Sequence, residues 1–230
     1  FLFEMSTNDL VILIIDYIEG GYYHPDMKAK LKNGDQMLNS GETMFGLDRK
    51  AGGPDVTSSA NGKAFWQLVD AWYNTHHGDT SYYNDKADGK KIPKEVGLQL
   101  RELAAKIISD RYKNYSSALN SKAKKIVDNN PALLLQFVYG CYNGQGNFNN
   151  FANIVNNAVN NGITDPETLY NLIQTARRNK NSHYAKGADL LDIIKERYLH
   201  GGNNGGGGGL LLGLLAVGIG IFFVTQLTKK

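Results

Sequence analysis

Glu19 combines a reactive side chain with a place where its chemistry would change. It follows the apolar run Leu10-Val11-Ile12-Leu13-Ile14-Ile15 and precedes Gly20-Gly21. Ser6, Thr7 and Asn8 are N-cap residue types, and the pattern over 8–18 predicts a helix that is apolar nearly all round, hence buried. The two glycines stop it. A carboxyl at that end meets the negative pole of the helix dipole and a partly apolar surround, and both disfavour its charged form. A glutamic acid that keeps its proton near neutrality is what a general acid for glycosidic cleavage requires. The flanking glycines leave room for a bulky polymer. The competing expectation is a surface glutamate that merely ends a helix.

Aromatic residues supply the second candidate set. Tyr22, Tyr23, Trp66, Trp72 and Tyr73 are of the type that stacks on sugar rings, although both tryptophans fit the apolar stripe of a predicted helix and read better as core. Tyr82 and Tyr83 fall in a predicted loop and suit a cleft rim. His76-His77-Gly78-Asp79 is weak as a metal site, because adjacent histidines point apart on a helix and no third ligand is obvious. No metal or other cofactor is expected. Cys141 is the only cysteine, which excludes an internal disulfide and a cysteine-based zinc cage. It sits in an all-apolar segment and reads as an inert buried thiol.

The elements that must position these residues are mostly helical. Positions 22–61 are rich in Gly, Ser, Asn and Asp and predict loop with a little strand, the best short strand being 43–47. Helices are predicted over 63–76, 94–119 and 121–127, with Leu98, Leu103, Ile107 and Ile108 on or near the inner face of the second. The segment 131–142 is apolar on every face and should be the central helix. Further helices follow over 148–161, 166–178 and 187–199, the middle one opened by Asp165-Pro166-Glu167. The expected fold is mainly α, an α+β helical globule with a small strand and loop region near the N-terminus. One C-terminal transmembrane helix is added to it.

The chain has 230 residues, 42% of them apolar and 20% charged, in keeping with an ordinary globule plus an appendage. Its formal charge is +3, and two of those positives are the terminal Lys229 and Lys230, so nothing demands a nucleic acid partner. The mean hydropathy of −0.37 hides two materials. Positions 205–209 are five glycines, a flexible linker. Positions 210–227 carry no charge. As a helix they would be roughly 27 Å long, close to a bilayer core of about 30 Å. Gly213, Gly218 and Gly220 are tolerable in a membrane helix and costly in a soluble one. The six apolar residues between Asp9 and Asp16 are too few for a signal core. Residues 1–4 precede a more natural start at Met5, and no export signal is evident.

Two segments carry a family resemblance. Tyr17-Ile18-Glu19-Gly20-Gly21-Tyr22, followed by Ser40-Gly41-Glu42-Thr43-Met44-Phe45-Gly46-Leu47, resembles glycoside hydrolase family 108, a lysozyme-like group common in bacteriophages. Members open with a helix ending Glu-Gly-Gly-Tyr, followed by Gly-Gly-Glu-Thr-x-Tyr-Gly-Ile. Ser40, Phe45 and Leu47 depart from that pattern. Segments 104–112 and 136–143 look like later helices of the family, and 158–169 is similar to the peptidoglycan-binding segment that usually follows. The resemblance implies a lysozyme-like fold and cleavage of peptidoglycan glycan strands, with Glu19 as the acid. It leaves the second carboxylate open among Asp26, Asp35 and Glu42. It offers Thr43 as a water- or substrate-orienting hydroxyl, with Gly41 and Phe45 at the substrate. Glu19 and Glu42 are 23 positions apart, roughly ten more than the family pattern, through an insert at 28–38. If no second carboxylate is placed to help, Glu19 would act alone as acid and then base, a lytic transglycosylation.

These readings divide the chain into a catalytic region (1–130), a central-helix and wall-binding region (131–200), a linker (201–209) and a membrane helix (210–228). The expected partners are peptidoglycan strands and a lipid bilayer, with capsid proteins as neighbours. A wall-cleaving body on a C-terminal membrane anchor suits a phage with a membrane inside its capsid, or the host cytoplasmic membrane during infection. The alternative is a non-catalytic, membrane-anchored structural or wall-binding virion protein on the same scaffold.

Overall fold

The computed structural model describes residues 5–19, 21–23, 42–73 and 92–199; of Tyr23 and Tyr73 only the backbone is described. The chain is mainly helical. Among the described residues no helix is long and apolar enough to cross a membrane, and 210–228 lies outside them.

Helix α1 spans Thr7–Tyr17. Ser6 caps it: its Oγ accepts from the Asp9 N–H at 3.3 Å, while the Asp9 carboxylate accepts from the Ser6 N–H at 2.9 Å. Leu10, Val11, Leu13, Ile14 and Ile15 are all buried, as a helix apolar nearly all round demands. Its end is tight, with the N–H groups of Ile18 and Glu19 both donating to the Ile14 carbonyl, at 2.8 and 3.0 Å.

A small antiparallel sheet follows, with β1 (Tyr22–Tyr23), β2 (Thr43–Met44) and β3 (Leu47–Asp48) in that order. Tyr22 pairs with Met44 and Tyr23 with Thr43; Thr43 also pairs with Asp48, and Met44 with Leu47. The single strand expected over 43–47 is therefore a hairpin. Its two-residue turn is Phe45-Gly46, with φ of 52° and 75°. Two consecutive positive φ values are the type I′ signature, which matches the twist of the flanking strands. A phenylalanine is costly there. Complete burial of its ring offsets that cost, with the Arg101 guanidinium 5.9 Å from its centroid and Arg101 itself paired to Asp16 at 2.8 Å.

Helices α2 (Pro54–Thr57) and α3 (Ala60–Tyr73) come next, then α4 (Lys94–Tyr115), which closes in a 3-10 turn at Ser116–Ala118. The line α4 buries is Leu100, Ala104, Ile107, Ile108, Arg111 and Tyr112; Leu98 and Leu103 sit at its margin. Then follow α5 (Ser121–Asp128), α6 (Pro131–Tyr142), α7 (Gln145–Asn160), α8 (Pro166–Arg178) and α9 (Ser182–Ile194), which ends in a π-helical turn, Lys195–Leu199. The many Asn and Asp residues have a local use. Asn120, Asn130, Asp165 and Asn181 each accept the capping hydrogen bond of α5, α6, α8 and α9. Helix α9 thus starts at Ser182, behind its Asn181 cap and five residues before the glycine where apolar spacing alone would begin it.

Helix α6 is the central element, packed against α1, α4, α5, α7 and α8. One continuous core runs from Leu10 to Ile194 and includes buried side chains from both sides of position 130. Arg111 locks its front: the guanidinium pairs with Asp55 and donates to the Gly52 and Cys141 carbonyls, tying the start of α2 to α4 and α6.

Candidate active site

The end of α1 delivers Glu19 to the hairpin turn. A Cβ built on Gly46 would lie 2.4 Å from Glu19 Oε2 and 2.7 Å from its Cδ. Gly46 is thus required twice, once for its positive φ and once for the space the carboxyl occupies. Helix α6 closes the other side. Burial, and after it the Glu19 charge, pushes the Tyr139 and Tyr142 phenols above the ordinary tyrosine value. The Tyr142 hydroxyl is fully buried and has no hydrogen-bond partner among the described residues, an exception to the usual satisfaction of buried polar groups. The π-helical turn reaches the same end of α1, where Tyr17 and Tyr198 share a hydroxyl–hydroxyl hydrogen bond of 2.5 Å. Glu19 is half-buried at this junction of helix, hairpin and central helix.

Glu42 has a different surround. Only 7% exposed, it accepts from the Tyr22 hydroxyl at 2.9 Å and from Arg49 at 2.7 Å. Arg49 also forks onto Asp70 at 2.5 and 2.7 Å, and its guanidinium lies 5.2 Å from the centroid of the Trp66 ring. Donation to Asp70, and after it to Glu42, raises the Arg49 pKa against the opposing effect of burial. Glu42 is therefore held in an ion network and braces the open end of the hairpin, where the Arg49 N–H also donates to its carbonyl at 2.8 Å.

The remaining candidates separate clearly. Thr43 is in β2 and 7% exposed. Tyr22 and Phe45 are fully buried, so neither ring offers a face to a sugar; both support the hairpin from within, which corrects the expectation that they line a substrate groove. The backbone of Tyr23 pairs with Thr43. Trp66 is core at 4% exposure, whereas Trp72 is 42% exposed. Asp26, Asp35, Gly41, His76, His77, Tyr82 and Tyr83 lie outside the described residues. Among the described residues no group of three His, Cys, Asp or Glu side chains could hold a metal ion. Cys141 is buried, its thiol pushed up to about 12 by desolvation.

Two features of this region were missed in the sequence. Tyr139 and Tyr142 are three apart on α6, hence on one face, but lie in a segment that reads as uniformly apolar. A pocket of about 320 Å³ lies beside the Glu42 network, lined by Arg49, Thr57, Lys63, Trp66, Gln67 and Asp70. The signal for it was present: positions 63, 66, 67 and 70 form one helical face.

The chain matches no family model, no curated protein and no solved structure.

Proposed function

We propose that the chain is a peptidoglycan-degrading glycosidase, a muramidase or lytic transglycosylase of the kind glycoside hydrolase family 108 represents, with Glu19 as general acid. The observation that carries this reading is the packing of the Glu19 carboxyl on Gly46 of a tight hairpin. Protonated Glu19 gives its proton to the bridging glycosidic oxygen as the sugar–oxygen bond breaks. The resulting carboxylate then takes a proton back, either from an attacking water or from a hydroxyl of the same sugar that closes an anhydro ring. Glu42, tied to Tyr22 and Arg49, is a brace in this scheme and not the second catalytic carboxylate. Thr43 is the candidate orienting hydroxyl.

The anchor belongs to the same proposal. A glycine linker over 201–209 and a membrane helix over 210–228 would hold the enzyme at a bilayer, most sensibly the internal membrane of a phage particle. Protease protection and immunolabelling of isolated particles test this, and absence of the protein from them defeats it.

The engagement of Glu42 favours one competitor, a wall-binding virion protein without catalysis. Zymography of the full chain separates the two. Glu19→Gln should lower wall clearing at least about 10²-fold, the ordinary weight of a general acid. Clearing unchanged by that substitution removes the assignment. Mass spectrometry of the released muropeptides then distinguishes a reducing end from an anhydro end.

A further inference from the structure

The last described turn of the chain is fixed beside Glu19. Lys195–Leu199 is π-helical, a form that is uncommon in proteins and frequent at functional sites. It is clasped at two points. Lys195 is buried, with its ammonium 2.6 Å from each carboxylate oxygen of Glu167 on α8 and 4.2 Å from the centroid of the Tyr170 ring. Tyr198 supplies the other point. Its hydroxyl shares the 2.5 Å hydrogen bond with that of Tyr17, and the two rings meet edge to face at 5.7 Å. The wider π turn rotates Tyr198 away from the direction an α-helical continuation of α9 would give it. Tyr17 is the last residue of α1, and Glu19 follows within about 7 Å of chain.

The clasp decides from which edge of the body the rest of the chain departs. The uncharged stretch begins at Leu210, eleven residues after Leu199, and glycines fill most of the interval. Fully extended, that interval spans at most about 38 Å. As a flexible coil its r.m.s. length is about 18 Å. A folded body of roughly 190 residues is about 42 Å across. The tether is therefore too short to bring the opposite side of the body to the place where the apolar stretch begins. The edge it can bring there is the one that carries Tyr17, Tyr198 and Glu19.

We propose that the Glu19 edge is the face this protein turns toward a lipid bilayer, so that the site takes polymer lying within tether reach of the membrane surface. The inference rests on the membrane-anchor part of the proposed function, the helix over 210–228, and not on the glycosidic chemistry.

The fold supplies its own ruler for the test. Ser109 of α4 bonds Asn8 at the start of α1, and Arg101 pairs with Asp16 near its end, so the two helices run antiparallel. Asp128 of α5 bonds Tyr112, which lies about 16 Å beyond Arg101 along α4. The full chain, labelled with ¹⁵N, is placed in phosphatidylcholine nanodiscs that carry a nitroxide-headgroup lipid, and amide line broadening is read. Loss of intensity should be strongest at Ile18 and Tyr198 and fall along α1 and α4 to its weakest at Asp128. A forty-residue Gly-Ser insertion within 201–209 raises the coil length to about 39 Å and should flatten that gradient without touching the folded body. Broadening that is uniform, or strongest at Asp128, overturns the proposal, as does a gradient the insertion leaves unchanged. A chain that does not co-elute with the discs sinks the anchor and this inference together. Wall clearing by Glu19→Gln is scored separately: retained clearing removes the acid assignment and leaves an observed gradient standing.

Discussion

Two arginines show how differently the front and the rear of this molecule treat a charge. At the front, Arg49 is half-exposed and held between the carboxylates of Glu42 and Asp70. At the rear, Arg177 of α8 is fully buried, with no carboxylate on it among the described residues. Its Nε and one Nη donate to the side chain and carbonyl of Gln136 at 2.8 and 2.7 Å, and its plane lies 4.2 Å from the Phe151 centroid and 4.9 Å from that of Tyr139. Arg177 Nη1, Gln136 Nε2 and Gln174 Oε1 have no partner among the described residues. The consequences run in opposite directions. Partners raise the Arg49 pKa, whereas desolvation lowers that of Arg177 to about 10. Depth alone does not decide; the partners do. The front uses carboxylates to hold a hairpin in place, and the rear holds a cation by packing and amide contacts.

The largest expected effect breaks the front at its turn. Gly46→Ala places a Cβ inside the Glu19 carboxyl and at a φ of 75°, so it should cost about 3 kcal/mol in urea unfolding and displace Glu19, with loss of clearing under the proposed glycosidase function. A chain as stable and as active as the wild type would mean that the turn does not position the acid. Next in size is Arg49→Met. It leaves Glu42 buried at 7% exposure with only Tyr22, and should cost about 2 kcal/mol, less than a fully buried pair because the Arg49 side chain is 37% exposed. Adding Glu42→Gln should return part of that loss. Arg177→Met should cost only about 1 kcal/mol, because the lost amide contacts and ring stacking are offset by removing a desolvated charge. If Arg177→Met proves the costlier of the two, the comparison is inverted.

Much of this contrast was beyond the reach of sequence reading, and for identifiable reasons. Helix starts were legible where local chemistry states them, as at Asp165-Pro166 and at Ser6, and so was the central place of α6, because no face of it is polar. The hairpin was not, since Phe45 carries no preference for positive φ; burial of its ring, a tertiary effect, puts it there. Glu19 was legible as an acid at a helix end, but its place over Gly46 depends on a contact between segments 27 positions apart. Tyr22 reads as a stacking residue until its hydroxyl is seen on Glu42. Arg177 lies in the last turn of α8, where an arginine ordinarily serves the helix dipole at the surface; only packing reveals it as core.

The smallest effect separates the regions by pH, and its sign is fixed by which groups titrate where. Arg49 is raised above the ordinary arginine value, so the stability its ion pairs provide is intact below that value and unchanged through pH 9–11. The rear is not. The Cys141 thiol, pushed up to about 12 from an ordinary value of 9, contributes stability that is complete below pH 9 and lost as pH rises toward 12. Tyr139 and Tyr170, both raised from 10 chiefly by burial, act in the same direction above pH 10. Arg177 opposes them: folded at about 10, below the ordinary arginine value, it carries its full burial penalty below pH 10 and is relieved of it as pH climbs beyond. Urea midpoints should therefore fall between pH 9 and 10 in the wild type and stay flatter in Cys141→Ala. Above pH 10 the fall should be steeper in Arg177→Met, which has lost the compensating relief, than in the wild type. Parallel slopes for those two chains would mean that the rear arginine keeps its proton after all, and that its amide and aromatic surround does for it what two carboxylates do for Arg49.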